Sequence, residues 1–133
     1  MKKVLSAFAI LACFSISCTA CKKEKTKTAA EQIVGTLQLS SIVYNEHTNG
    51  ADHTVSSNDF TSSDTYEFHA DGTVSATVQG SSDSSTYTIS GSKLTITDDD
   101  TYDIKTLDDH NLVLYVKDVN GADYTEATIT FKR

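Results

Sequence analysis

The 133-residue sequence contains no proline and no tryptophan, and its three cysteines all lie within the first 21 residues. Without proline, no strand loses a backbone donor that it needs for pairing. Because Cys13, Cys18 and Cys21 leave the rest of the chain without cysteine, the sequence excludes a disulfide framework for the folded domain. The six glycines stand singly, which excludes a glycine-rich phosphate loop. Because a small domain without disulfides depends on its core, each large apolar side chain there matters to stability.

Positive charge is scarce in the main part of the chain. From Ile33 onward there are sixteen acidic and five basic residues, so this part carries a net charge of −11. Nucleic-acid binding needs a basic surface that releases counterions, and we therefore expect no nucleic-acid partner. Residues 22–32 carry four lysines and two glutamates, a net charge of +2. Anionic lipid head groups would attract this segment and repel the acidic domain.

The first twenty residues have the pattern of a secretory signal peptide. A positive start at Met1–Lys3 precedes an apolar run from Val4 to Ile16, and small residues and cysteines follow. The run is too short to span a bilayer as a stable helix. A buried N-terminal helix is the alternative, but the run has no polar stripe to solvate its other side.

Two of the cysteines resemble the lipidation site of bacterial lipoproteins. In such a protein the peptidase cuts before a cysteine that already carries a lipid, and a small residue precedes that cysteine. Ala20-Cys21 and Ser17-Cys18 both fit this pattern. We favour Cys21, with Cys18 as the alternative, because the polar segment begins directly after Cys21. The resemblance implies an outer-membrane lipoprotein of the cell envelope, with acyl chains such as palmitate as its anchor; plain secretion is the other reading.

Residues 21–32 lack alternation and large apolar side chains, so we expect a flexible polar tether there and a single domain over residues 33–133. From Tyr66 to Leu114 apolar side chains recur at every second residue, and turns such as Asp71-Gly72 and Ser90–Ser92 interrupt them every 8 to 12 residues. This pattern predicts an all-β fold, an antiparallel up-and-down meander that closes into a barrel or sandwich.

Two polar stretches interrupt the pattern. Asn45 to Ser63 has Val55 and Phe60 as its only large apolar residues, and we expect a long mobile loop over one end of the barrel with at most a short strand or helical turn. Gly80 to Ser85 predicts a loose connection between strands, whereas Asn120-Gly121 predicts a tight hairpin near the end of the chain.

Alternation also assigns the side chains that face the interior. We expect an interior filled mostly by side chains, with a small shallow pocket at the open end, because eight-stranded barrels leave little room. The expected inward residues are Leu37, Leu39, Val43, Phe68, Val74, Val78, Tyr87, Ile89, Leu94, Ile96, Tyr102, Ile104, Leu112, Leu114, Val116, Ile129 and Phe131.

No residue pattern indicates catalysis, a metal or a cofactor, and we expect a protein that is not an enzyme. The four histidines fall in loops or at strand ends, without a positioned base beside a nucleophile. His47, Asp52 and His53 do not have an established zinc spacing. The acidic runs Asp98–Asp100 and Asp118–Gly121 superficially suggest calcium, but the second lacks the third oxygen ligand and the distal glutamate of an EF-hand loop. Carboxylates in β-turns usually cap the turn.

The order of these segments resembles the small lipocalin-like domain of Gram-negative lipoproteins over Ile33 to Arg133. The resemblance implies an up-and-down β-barrel of about eight strands. The segments that carry it are Val34–Leu39, Tyr66–Phe68 with Asp71–Thr73, Tyr87–Ile96, Tyr102–Leu107, Leu112–Leu114 and Thr130–Arg133.

One position departs from the pattern of that family. Lipocalins usually carry Gly-x-Trp near the start, and the tryptophan closes the barrel floor beside a basic residue of the last strand. Here Gly35-Thr36-Leu37 stands in that place, and Leu37 offers no indole face to Lys132 or Arg133.

Two function classes remain. In the first, the open end of the barrel binds a small apolar or amphipathic molecule. In the second, a solidly packed barrel is a structural module that meets another envelope protein. A cavity of a few hundred cubic ångströms would favour ligand binding. The expected aromatic residues of the rim are Tyr44, Phe60, Tyr66, Tyr115 and Tyr124.

Overall fold

A computed structural model of the chain describes residues 26–133, and most of this part is β-strand. One short helix, α1, precedes nine strands. The elements are α1 (Ala29–Ile33), β1 (Gly35–Thr48), β2 (Ala51–Ser57), β3 (Thr65–Phe68), β4 (Thr73–Val78), β5 (Ser81–Ser90), β6 (Lys93–Ile96), β7 (Thr101–Leu107), β8 (Asn111–Asn120) and β9 (Asp123–Lys132). The expected all-β fold is confirmed.

Eight of the strands close into an antiparallel barrel. Strands β3 to β9 follow one another as neighbours, β1 pairs with β3 on one side, and a second pairing of β1 with β9 closes the ring. The predicted up-and-down meander and its closure are therefore confirmed. The ninth strand, β2, pairs with β1 alone and lies outside the ring.

Strand β1 is long enough to belong to two structures. Its first part, Gly35–Gln38, pairs with β3 inside the barrel, and its second part, from Ile42 to Thr48, pairs with β2. The distal parts of β8 and β9 continue beside it. Strand β2 together with residues 42–48, 116–120 and 123–128 thus forms a four-stranded sheet beyond the barrel, which we call the extension.

The extension corrects the expectation of a long loop from Asn45 to Ser63. The chain turns at Asn49-Gly50, where both residues have positive φ angles of 54° and 76°, as a tight two-residue hairpin turn requires. Strand β2 follows with seven residues that are mostly exposed on both faces. Because neither face is buried, the sequence shows no apolar alternation there, and only Asn58 to Asp64 is left as loop.

A β-bulge in β1 corrects one predicted core residue. Leu37 and Leu39 face the barrel interior, but the pairing register with β9 shifts between Leu39 and Ser41. The extra residue moves the inward alternation to Ile42, which packs against the core. Val43 consequently faces outward and is 38% exposed, so its expected place in the core is wrong.

The core otherwise follows the predicted alternation. Val78, Ile89, Ile104, Val116 and Ile129 are partly buried against the buried core residues. The buried apolar residues of the core are Ile33, Leu37, Leu39, Phe68, Val74, Tyr87, Leu94, Ile96, Tyr102, Leu112, Leu114 and Phe131.

Helix α1 covers one end of the barrel, which we call the closed end. It begins with a capping box in which Thr28 and Glu31 satisfy each other's backbone donors, and it ends with the fully buried Ile33. The last residues of the predicted tether are therefore helical. No helix in residues 26–133 is long and apolar enough to cross a bilayer.

Arg133 fastens this helix to the barrel. Its guanidinium donates hydrogen bonds to the carbonyl oxygens of Gln32 and Val34, and it lies so close to Gly35 that an added Cβ there would be 3.3 Å from Nη1. Leu37 fills the floor below, fully buried. The closed end is thus sealed without the tryptophan of the family pattern, by an arginine on backbone carbonyls.

The stretch from Gly80 to Ser85 also differs from its prediction. It is not a loose connection, because Gln79 and Gly80 form a tight turn with positive φ angles and β5 begins directly at Ser81. Five successive residues of β5 then pair with β4, from Ser81 to Ser85. The side chains are polar because this part of the strand lies at the other end of the barrel, which is open.

The alternation on β6 gives a direct test of the assigned inner face. Leu94 is fully buried, whereas Thr95 next to it is exposed and bonds only to Thr101 across the strand pair at 2.9 Å. We expect Leu94→Ala to lower the free energy of unfolding by about 2–5 kcal/mol, since it leaves a cavity in the core. Thr95→Ala should cost about 0.5 kcal/mol or less. Urea denaturation of both variants measures the difference, and equal losses would contradict the assignment.

Candidate functional site

A pocket of about 380 Å³ opens into the barrel between β4, β5 and β6. Four side chains, from Tyr66, Val74, Ala76 and Ile96, form its apolar floor. All four continue the inward alternation of their strands, so the floor is the upper surface of the hydrophobic core. We call this cavity the open-end pocket.

Polar side chains surround the mouth of the pocket. They come from Asp83, Ser84 and Ser85 on β5 and from Thr97, Asp98 and Asp99 in the turn between β6 and β7. Asp83 and Ser85 lie four and two residues, respectively, before the buried Tyr87, so they occupy the inward positions of β5. The inner face therefore changes from apolar to acidic towards the open end.

The pocket exists because β6 is shorter than its neighbour. Strand β6 ends at Ile96, opposite Tyr87, while β5 extends further to Ser81 beside β4. The following turn closes over the gap through Thr97, whose carbonyl oxygen accepts from Ser85 Oγ at 2.8 Å and whose amide donates to the carbonyl of Thr86. Beyond Tyr87, the upper part of β5 therefore pairs with β4 on one side and with no described strand on the side of β6. A space opens there between β5 and the turn.

Two tyrosines lie near this space: Tyr66 belongs to the floor of the pocket, and Tyr102 is a buried neighbour outside the lining. The Tyr66 ring packs edge-on against Phe131 at 5.0 Å, and the buried Tyr102 donates its hydroxyl to Asp99 Oδ2 at 3.0 Å. Burial, and secondly the negative charge of Asp99, raises the pKa of both phenols. Both phenols stay neutral at physiological pH, and the Tyr66 ring gives the pocket an electron-rich aromatic surface.

Asp64 holds the rim of the open end together, although little in the sequence indicates this role. It is only 4% exposed, and its carboxylate accepts hydrogen bonds from the amides of Thr61 and Gln79, both at 2.6 Å. These two donors hold the pKa of Asp64 below its usual value. The loop before β3 is thereby tied to the β4–β5 turn. The only sequence signal was the Thr61-x-x-Asp64 spacing, which is that of a capping box.

The five expected rim aromatics do not come together. Tyr66 lines the open-end pocket, and Phe60 is half-buried against the core below the loop. Tyr44 lies on the inner face of the extension, paired with Ala127 and opposite Val55, and is 40% exposed. A role for any of them in ligand binding stays a prediction.

Tyr115 and Tyr124 point to the outer face of the sheet, because they alternate with inward residues of β8 and β9. The Tyr115 hydroxyl donates to Glu126 Oε2 at 2.7 Å, which lowers the pKa of that carboxyl. Lys117 lies 3.7 Å from the centre of the Tyr124 ring, and His47 stacks on the same tyrosine at 5.0 Å. These contacts stabilise the outer face of the extension and leave both rings far from the pocket wall.

Metal-binding residues do not converge within the described part of the chain. His47 Nδ1 contacts Asp52 Oδ1 at 2.6 Å, but no group of three or more histidine, cysteine or acidic side chains over residues 26–133 could hold an ion. The expectations that the protein binds no metal and is not an enzyme stay predictions. Cys21 and Cys18, the expected lipidation sites, lie outside the described residues.

Comparison with known families gives one match. A family model for a lipocalin-like domain matches residues 33–114, which is more than half of the chain. The matched region begins at the end of α1 and includes β1 to β7, the strands that carry the open-end pocket. No curated protein and no solved structure is significantly similar to the chain.

Asp64 predicts a pH-dependent stability. Its pKa is lower in the folded state, so its stabilisation is present above the unfolded pKa of about 3.9 and is lost as the pH falls through the folded value. We expect Asp64→Asn to lower the melting temperature clearly at pH 7 and progressively less as the pH falls and the wild-type carboxyl becomes protonated. Thermal unfolding followed by circular dichroism measures the difference at each pH.

The matched control for this experiment is Asp59→Asn, since Asp59 is an exposed carboxylate in the same loop. It should melt like the wild type at each pH. A difference between Asp64→Asn and wild type that does not change with pH would contradict the assigned role of the carboxylate charge.

Proposed function

The chain belongs to the lipocalin-like domain family, and on this premise we propose that it binds a small apolar or amphipathic molecule in the open-end pocket. The observation that carries the proposal is the cavity of about 380 Å³ over an apolar floor at the open end of a sealed barrel. Such a concave site with a few polar groups at its edge is the usual form of a small-molecule site.

The size of the pocket limits the ligand. Phe68, Phe131 and Leu37 are almost completely buried and fill the lower half of the barrel, so a ligand can enter only the upper half. The volume is near the lower end of the range for ligand pockets, roughly 300–1,000 Å³. We therefore infer a short apolar chain or a single ring system, bound with its polar end at the mouth.

Ala76 gives a direct test because it lies in the floor and has room beside it. Ala76→Leu should fill part of the pocket and remove most of the binding of a neutral apolar fluorophore, phenylnaphthylamine. The matched control is Ala51→Leu at the exposed start of β2, which should bind like the wild type. Fluorescence titration measures both affinities, and circular dichroism checks that both variants are folded.

The opposite result would assign the binding elsewhere. If Ala76→Leu binds as well as the wild type and Tyr44→Ser does not, the fluorophore occupies the inner face of the extension. If wild-type protein does not bind it and carries no small molecule in native mass spectrometry after purification from its own envelope, the proposal fails.

One observation favours a second function, that of a structural or interaction module. Within residues 26–133 strand β2 pairs only with β1, so in this part of the chain its other edge offers unpaired backbone groups to a partner strand. Val55 on this strand is half exposed. A partner protein would protect the amides of residues 51–57 from hydrogen exchange, whereas a ligand in the pocket would protect Tyr66, the upper part of β5 and the β6–β7 turn.

We also propose that the protein is held at the cell envelope, in the outer membrane, by a lipid on Cys21, with Cys18 as the alternative. The support is the signal-like residues 1–20 together with the position of α1 at the closed end. Six residues separate Cys21 from Thr28, and these seven Cα–Cα steps span at most about 25 Å. An anchor there would place the closed end towards the bilayer and the pocket away from it.

Separate substitutions test the anchor. Cys21→Ala should move the protein from the membrane to the soluble fraction, while its melting temperature stays unchanged because the cysteine precedes the folded domain. Cys18→Ala is the comparison and should stay membrane-bound if Cys21 is the lipidated residue. Cell fractionation followed by immunoblotting measures both, and membrane association of the two variants and of the double variant would overturn the proposal.

A further inference from the structure

The open-end pocket combines an apolar floor with an acidic mouth. Asp83, Asp98 and Asp99 lie at its edge, and no lysine, arginine or histidine among residues 26–133 lines it. We propose that its ligand is a cationic amphiphile, with an amine or quaternary ammonium group at the mouth and an apolar chain on the floor. This inference rests on the proposed function and specifies the charge of the ligand.

Asp83 is the residue that distinguishes this mouth from an ordinary set of acidic turns. It lies within strand β5, opposite Ala76 of the pocket floor, and occupies an inward position. Its Oδ1 accepts from the neighbouring amide of Ser84 at 2.8 Å, and the carboxylate makes no salt bridge within residues 26–133. A carboxylate above the apolar floor can therefore meet a bound cation directly.

Three lysines of the barrel wall form their contacts on the outer face and not at the pocket. Lys93 and Lys105 both pair with Asp103 on the outer face, and Lys117 lies beside Glu126 and Tyr124. None of these ammonium groups neutralises the pocket mouth. Three carboxylates around one partly enclosed cavity focus a negative potential into it, which raises the local concentration of cations.

Tyr66 supplies a second contact for a cation. Its ring is part of the pocket lining, and burial and Asp99 keep its phenol neutral. The face of a tyrosine ring attracts ammonium groups, and an aromatic wall beside carboxylates is suited to methylated amines. A ligand with a carboxylate or phosphate head would instead meet three like charges, so fatty acids and phospholipids fit this mouth poorly.

Three compounds with the same apolar chain test the charge. Octyltrimethylammonium and octyl sulfate, both below their critical micelle concentrations, and octanol below its solubility limit are titrated into the protein by isothermal calorimetry at low ionic strength. We expect octyltrimethylammonium to bind at least about tenfold more tightly than octyl sulfate, with octanol between them. Added sodium chloride should weaken the binding of the cation and leave that of octanol unchanged.

Two isosteric substitutions locate the effect. The double variant Asp83→Asn/Asp98→Asn keeps the size of both side chains and the acceptor for Ser84, and it should lose most of the preference for the cation while octanol still binds. The matched control is Glu67→Gln, which removes a charge from the exposed outer face of β3 and should keep the preference.

The outcomes separate this inference from the proposed function. If octyl sulfate or octanol binds as tightly as the cation, or if the double variant keeps the full preference, the inference is overturned and the pocket remains a binding site for apolar molecules. If none of the three compounds binds to the wild type, the proposed function fails and the inference falls with it.

Discussion

The pairing of β1 with β9 is the constraint on which the rest of the structure depends. It joins the first and last strands over residues 38–47 and 124–132, whose paired residues lie 77 to 94 positions apart in the chain, and it turns an open sheet into a barrel. An open sheet of this size would expose two long edges to pairing with other chains. The closure also sets which side chains are enclosed, since only a ring gives Phe131 and Leu39 a common interior.

The unequal lengths of the strands around that ring produce the features that bear on function. The long strands β1, β8 and β9 continue beyond the barrel and form the extension with β2, while the four-residue β6 leaves the space that becomes the open-end pocket. Asp64 bonds the loop that leaves the extension to the turn that begins β5. The two regions of the open end are therefore held in one arrangement by a single buried carboxylate.

The sequence predicted the barrel strands where one face is buried, because apolar alternation then follows directly from burial. It could not predict β2, because both faces of that strand are exposed. It could not predict the bulge after Leu39 either, because Ile42 and Val43 are both apolar and either could continue the inward alternation. For the pocket, the sequence predicted only a small, shallow cavity at the open end of the barrel. Its acidic mouth was missed because Asp83 lies in a serine-rich stretch that resembles a loop, and its inward position depends on pairing with β4.

The bulge in β1 also determines the chemistry of the extension. Beyond it, the inner face carries Tyr44 and the outer face carries Asn45 and His47. Removing one residue at position 40 would leave every other side chain unchanged but exchange the two faces, bringing the imidazole inside and the phenol outside. The single extra residue thus reverses which face of the sheet each following side chain of the strand occupies. Homologous chains that differ in length at this point would present differently composed extensions on the same barrel.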